Sequence, residues 1–557
     1  MNSLVFGLIA ICLLCLGYKF YARIIERLWE VDPQRKTPAI KQSDGVDYIP
    51  AKHWTILFSH HFSSIAGAGP IIGPVVAVVC WGWAPALLWI VLGSILLGGV
   101  HDFSALMVSV RHKGRSIGDV AESVINYRVK LLFTSFLWLS LILVVAVFAA
   151  VGGKTLAVKP QIVIPTFGLI LVALLVGVMI YRLRIKQTVS TLVGLVLFSG
   201  LIVLGYYYPI SIGGNATRNW TLILLAYAFV ASVLPVNILL QPRDYLAGFV
   251  LFFGLFFGYL GLAITHPTIH TPVYLGWKGA EGHIWPMLCV LIACGAISGF
   301  HSMVASGTTS KQLASELDAK RIGYGGMVTE GALATLAVLC VSAGLYFTSQ
   351  QGPANLVYPT LVREKGWIVA FGAGYGELVK PIFGTMGTLV AIMMVKAFVL
   401  TTLDSATRIS RYFAEELFGE GLKIRALKNR YLASGVVIIL AGYLALGNWQ
   451  AIWPVFGASN QLVAALALLV VTTYLLSKGK PIGYTLYPCV FMFATTTVAL
   501  VYEITQFIPQ HKYLLATVGV VLLILAGFML FESISVAKKR LLGTGILRET
   551  QARKVQG

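Results

Sequence analysis

The sequence predicts an all-α polytopic membrane protein of about fifteen transmembrane helices. Its core is expected to be a five-plus-five inverted repeat containing broken helices. Three observations lead there. Of 557 residues, 57% are hydrophobic and 11% charged, too few polar groups to cover a soluble domain. The apolar residues gather into fifteen stretches, most of them near the ~20 residues that cross a bilayer, without lipid-facing strand alternation. When the chain alternates direction at each stretch, 32 of the 42 Lys and Arg residues fall on one side. Basic loops resist translocation, so that side is expected to be cytoplasmic. The expectation is a multi-pass inner-membrane protein with its N-terminus outside and its C-terminus in the cytoplasm. The net charge of +20 decorates loops between spans and forms no basic face, which argues against a nucleic-acid partner.

Residues 1–53 form a leading span, 3–20, and a cytoplasmic linker. The start, MNSLVFGLIAICLLCLG, has no basic residue before its apolar run and no clear cleavage site, so it reads as a retained span. Spans follow at 54–80, 84–109, 129–151, 161–180 and 188–207, making a first repeat over 54–207. A second repeat over 219–400 holds spans 219–240, 246–266, 284–305, 324–347 and 382–400. A cytoplasmic loop at 401–430 leads to four additional spans over 431–535 and a basic tail at 536–557. Two spans carry interruptions. The first has Gly67, Gly69, Pro70, Gly73 and Pro74 at its centre, where continuous helix is disfavoured. The span from 219 has Pro235, with Asn237 two residues on, a weaker signal. Each opens a set of five, so the second set enters from the opposite face, as in inverted-repeat transporters. A bundle merely kinked at these sites fits the spacing too.

Seven cysteines lie in or beside apolar spans without zinc-ligand spacing, which predicts buried thiols and no disulfide, metal or cofactor. Ser59, Ser63 and Gly67 recur every four residues, with His60 and His61 alongside. Hydroxyls there suit a solute path or close helix packing, and histidines can relay protons. Ser298, Ser302 and Ser306 repeat the spacing beside His301; they could face a cation or carboxylate, or bond back to helix carbonyls. Lys396 sits in an apolar run, where it costs ~2.5–3.5 kcal/mol unless it snorkels or finds a partner. Asp404, Arg408 and Arg411 could form an ion-pair ladder. Arg243 and Asp244 cap a cytoplasmic turn, and Asn460 and Gln461 stand at the mouth of a later span.

The segments FSHHFSSIAGAGPIIGP, LPVNILLQPRDYL, CGAISGFHSMVASGTTSKQLASELDAKRIGYGGM, TTLDSATR and WPVFGASNQ closely resemble the carbon starvation protein A family, from about residue 3 to 535. The resemblance implies a bacterial or archaeal inner-membrane secondary transporter for peptides, or for pyruvate with protons, during nutrient limitation. It also implies the leucine-transporter-like five-plus-five fold of amino acid–polyamine–cation transporters. One departure is His101 before Asp102, where a glutamine is expected. Import of a carboxylate-bearing nutrient would place substrate at Ser63, Ala66, Gly67, Ala68, Gly69, Asn237, Ser298, Ser302 and Ser306, with free amides receiving the anion. Proton or sodium coupling would fall to His60, His61, Asp102, His301, Lys396 or Asp404. The rivals are an uncoupled channel, a nutrient sensor without a soluble signalling domain, and an enzyme. For the enzyme no HExxH or GxSxG motif stands out.

Overall fold

Helices account for nearly every ordered element of this computed structural model. It describes residues 1–447 and 449–556, excluding the side chains at 449–456, 514, 537 and 539–556. The side chains of the Trp453–Phe456 part of WPVFGASNQ, and most of those in the basic tail, therefore lie outside the described residues.

The spans run in order as α1 (Ser3–Leu28), α2 (Trp54–Trp81), α3 (Trp83–Arg111), α4 (Tyr127–Val158), α5 (Pro160–Arg182), α6 (Gln187–Tyr207), α7 (Ala216–Val233) and α8 (Leu240–Thr265). Next comes α9, a pair of short helices at Ile284–Leu291 and Gly299–Gly307. After it come α10 (Glu316–Ala343), α11 (Lys380–Gly421), α12 (Arg430–Leu446), α13 (Trp449–Ser477), α14 (Gly483–Phe507) and α15 (Tyr513–Gln556). Among the described residues, thirteen helices are long and apolar enough to cross a membrane; α12 is shorter. One small antiparallel sheet pairs Lys278–Gly279 with Gly282–His283 in the loop before α9.

α2 is interrupted as expected. Its halves, Trp54–Ala66 and Gly69–Trp81, meet at Gly67, whose φ of +50° and ψ of −147° no helix contains. Both Gly67 and Ala68 are buried, so this unwound backbone is enclosed by protein. The other expected interruption is corrected. Helix α7 ends at Val233, and Pro235 lies in the connection to α8, so it terminates a span. The second break falls in α9, where Ile292–Ser298 leaves the helix. Cys294 and Gly295 of that stretch pass directly against α2. A Cβ on Gly69 would lie 2.4 Å from the Cys294 sulfur, and one on Gly73 would lie 2.3 Å from the Leu291 carbonyl oxygen. Only glycine lets the two broken spans cross this closely.

Candidate functional site

The crossing of α2 and α9 borders a cavity of about 320 Å3. Ala66, Gly67 and Gly69 line it from α2, and Ala293 and Cys294 from α9. Thr402 of α11, Asn460 of α13 and Tyr502, Glu503 and Gln506 of α14 add polar groups to its lining. Glu281, Gln510 and Lys512 stand at its mouth, in loops on the side poor in Lys and Arg. Among the described residues, none accepts a hydrogen bond from the amides of Gly67 or Ala68. Those amides precede the second half of α2, where helix geometry leaves donors unpaired and the peptide dipoles favour an anion.

The unwound part of α9 is held by side chains. Asn460 Oδ1 accepts from the Phe300 amide at 2.8 Å and from the Ser298 hydroxyl at 3.2 Å. Gln461 Nε2 donates to the Cys289 and Ile297 carbonyls at 3.1 and 3.0 Å. These bonds satisfy backbone groups that the break would otherwise strand in a water-poor interior.

The side opposite the mouth is closed by charge. Asp47 of the linker binds Arg408 at 2.7 Å and Arg411 at 3.0 Å, both from α11. Arg408 also donates to the carbonyls of Ala231 and Leu234 at the end of α7. Deeper in, Arg243 is ion-paired with both Asp244 and Asp404, and Tyr227 donates to Asp404 at 2.7 Å. Asp244 continues the network to His60 at 2.5 Å, and His60 reaches Thr308 at 3.1 Å. The turn pair Arg243–Asp244 and the ladder residue Asp404 are thus one buried network joining α2, α8 and α11.

A third cluster lies on the cavity's other flank. Asp102 accepts from His101 at 2.7 Å and His301 at 2.8 Å, and His301 Nε2 is 3.3 Å from Glu330 of α10. Ligand atoms of Cys294, His301 and Glu330 lie within 4.8 Å of one another. Both Glu330 oxygens are buried without a hydrogen-bond partner. This group assembles from three spans, and no local spacing announces it.

The expected substrate residues divide. Ala66, Gly67 and Gly69 line the cavity; Ala68 is buried beside them. Ser63, Ser302 and Ser306 donate instead to the Ser59, Gly299 and Ser302 carbonyls at 2.6–2.7 Å, and the Ser306 hydroxyl also accepts from the Ile117 amide at 3.1 Å, so their hydroxyls bond within the protein. Ser298 immediately precedes the second half of α9 and its hydroxyl meets Asn460, one residue removed from the lining. Its place outside the helix breaks the four-residue row that the sequence suggested. Asn237 lies in the α7–α8 connection and does not line the cavity. Lys396 does not snorkel: it is buried and donates to the Gly152 carbonyl at 3.3 Å. His61 bonds Thr309 at 2.9 Å. Cys294, Thr402, Glu330 and Glu503 were not anticipated.

Two interrupted spans crossing beside a one-sided cavity, in a bundle of at least thirteen membrane helices, define a membrane transporter. Residues 2–358 and 351–499 match the family model of carbon starvation protein CstA. The chain belongs to that family, and it is a secondary transporter and not an enzyme. It is 30% identical to the Campylobacter jejuni peptide transporter CstA, over 90% of this chain and 80% of that protein. It is 31% identical to the Escherichia coli pyruvate/proton symporter BtsT, over 89% and 81%. The Bacillus subtilis peptide transporter CstA is 30% identical over 90% of each chain. Among solved structures, the Eremococcus coleocola manganese transporter shares the fold. Its complex with an aromatic bis-isothiourea compound superposes with a TM-score of 0.51 at 12% identity, over 89% of this chain and 99% of that one.

Proposed function

We propose that this protein imports a small carboxylate-bearing nutrient, in the range from pyruvate to short peptides for which its relatives are named, driven by a coupled cation. The observation that carries the reading is the cavity between the two breaks, open toward one side, with Gly67 and Gly69 in its wall and the amides of Gly67 and Ala68 left without an acceptor. A substrate carboxylate would be received there, as at other helix N-termini facing a transporter midplane. The excess of basic residues in the loops of the closed side supports a cytoplasmic position for it, with the N-terminus outside and the C-terminus inside. In that orientation the structure is outward-facing.

Packing supports a five-plus-five core, with a membership different from the one the sequence spacing suggested. The second half of α2 packs on α10, and the second half of α9 packs on α3. α7 and α8 both pack on α11, as α12 and α13 both pack on α4. These reciprocal contacts favour α2, α3, α4, α7 and α8 as one set and α9–α13 as the other, with the α5–α6 hairpin inserted. The two sets begin seven spans apart, so they enter from opposite sides.

For coupling, the favoured group is His301 with Asp102 and Glu330. Two buried carboxylates and two imidazoles there make no ion pair with Lys or Arg among the described residues. Buried negative charge of that kind calls for a bound proton or cation. His60 and Asp404 belong to the closed network, while His61 and Lys396 have neutral partners. The test is uptake of labelled dipeptide and pyruvate by proteoliposomes under an imposed pH gradient. Concentrative uptake that collapses with the gradient is expected. Equal, gradient-independent flux of every carboxylate in both directions would make the protein a facilitator.

A further inference from the structure

We propose that the cavity selects substrates carrying a protonated amine as well as a carboxylate, with Glu503 pairing with the amine. The substrate class is then a short peptide or amino acid in preference to a keto acid. This rests on the import reading above and narrows it.

Glu503 lies on α14 in the cavity wall, outside both interrupted spans. The residue is 6% exposed, and its Oε2 is buried with no hydrogen-bond partner. Among the described residues it makes no ion pair with Lys or Arg. Lys512 is nearby at the mouth but is exposed to solvent. An isolated carboxylate in such a wall is costly unless a cation meets it or a proton neutralises it.

The same space is bounded on another wall by Gly67 and Gly69, where the amides of Gly67 and Ala68 have no acceptor among the described residues. One surface therefore favours an anion and another favours a cation, with Phe148, Ile72 and Phe300 contributing apolar area between polar groups. A zwitterion satisfies both surfaces at once. Pyruvate satisfies the amides and leaves Glu503 facing a second negative charge. A cavity of about 320 Å3 sits at the small end of the ~300–1,000 Å3 typical of ligand sites, which suits a dipeptide and argues against long peptides. Glu503 lies beyond residue 499, where the family-model match ends, so that match does not predict this preference.

The test uses the full-length protein in proteoliposomes with an inward proton gradient and labelled alanyl-alanine. Unlabelled alanyl-alanine, N-acetyl-alanyl-alanine and pyruvate serve as competitors. Acetylation keeps the carboxylate and removes the ammonium, so it is expected to weaken competition at least tenfold, as pyruvate does. Glu503→Gln is expected to raise KM for alanyl-alanine at least tenfold and to shrink the gap between the free and acetylated peptides. Glu503→Asp, which keeps the charge, should retain the preference. Equal competition by all three ligands would overturn the proposal. So would a Glu503→Gln protein, monodisperse in detergent, whose preference for the free amine is unchanged or whose uptake of every substrate falls alike; the latter would make Glu503 a coupling group. Gradient-driven pyruvate uptake without alanyl-alanine uptake would sink the amine claim and leave the import reading standing. Movement of no carboxylate would remove both.

Discussion

Asp47→Asn tests whether the charged closure opposite the cavity holds the transporter outward-facing. Asp47 is bonded to Arg408 at 2.7 Å and to Arg411 at 3.0 and 3.1 Å, and the two arginine side chains are 0% and 2% exposed. Burial alone would push the Asp47 carboxyl up, but Arg411 and Arg408 outweigh it and hold it down to about 2, against an ordinary 3.8. A carboxyl held that far below its ordinary value makes the ionised latch worth about 2–3 kcal/mol. That energy is about a 100-fold bias in a two-state equilibrium. A depressed carboxylate contributes above its unfolded pKa, so the latch is intact from neutral pH to about 4 and is lost as pH falls through about 2. Cys294 lines the cavity and reports its opening, once Cys12 and Cys15, exposed on α1, are replaced by Ser. From a starting ratio near 99:1, a ~100-fold shift leaves about half the molecules outward-facing. The rate at which an external, membrane-impermeant maleimide labels Cys294 should then fall about twofold at pH 7. In the parent protein it should be unchanged between pH 7 and pH 5. An unaltered labelling rate in folded, inserted Asp47→Asn protein would refute the latch.

Three further outcomes follow from the same geometry. Gly73→Ala drives a Cβ to 2.3 Å from the Leu291 carbonyl, and backbone yields less readily than a side chain. It should cost ~1–3 kcal/mol and lower both the melting midpoint in detergent and the uptake rate; an unchanged midpoint would mean that the two breaks do not touch there. His301→Gln removes the imidazole shared by Asp102 and Glu330. It should abolish the response to a pH gradient while exchange of labelled for unlabelled substrate continues, and loss of both activities would point to a structural role. Lys396→Met replaces a buried ammonium whose hydrogen-bond partner is the Gly152 carbonyl. The melting midpoint should hold or rise, since an isolated buried charge is costly, and a clear drop would expose an unrecognised partner for the lysine.

The two breaks show why one was legible in the sequence and the other was not. The α2 break is local: Gly67, Gly69 and Pro70 remove helix preference within four residues, and Gly67 takes a φ of +50° as that composition allows. The α9 break has no proline inside it. It is held open by Asn460 and Gln461, whose partners in α9 lie 160–172 residues away in the chain. Read locally, Ser298, Ser302 and Ser306 look like one helical face, and only the tertiary contact shows that Ser298 precedes the helix. Pro235 misled for the complementary reason: a strong local breaker marks a span's end as well as its middle, and the two differ only in where the membrane lies. The same division separates the chemical groups. His60, Asp244 and Asp404 stood out singly as charges in apolar surroundings, but their partnership joins residues up to 184 positions apart. Glu330 and Glu503 fell inside otherwise apolar helices and drew no notice, because one acidic residue per span carries no periodicity. Glu330 draws attention through His301 of another span and Glu503 through an oxygen without a partner, and only a folded chain can reveal either. A sequence reading of such proteins gains most, then, by treating each lone carboxylate in a span as a group awaiting a cation.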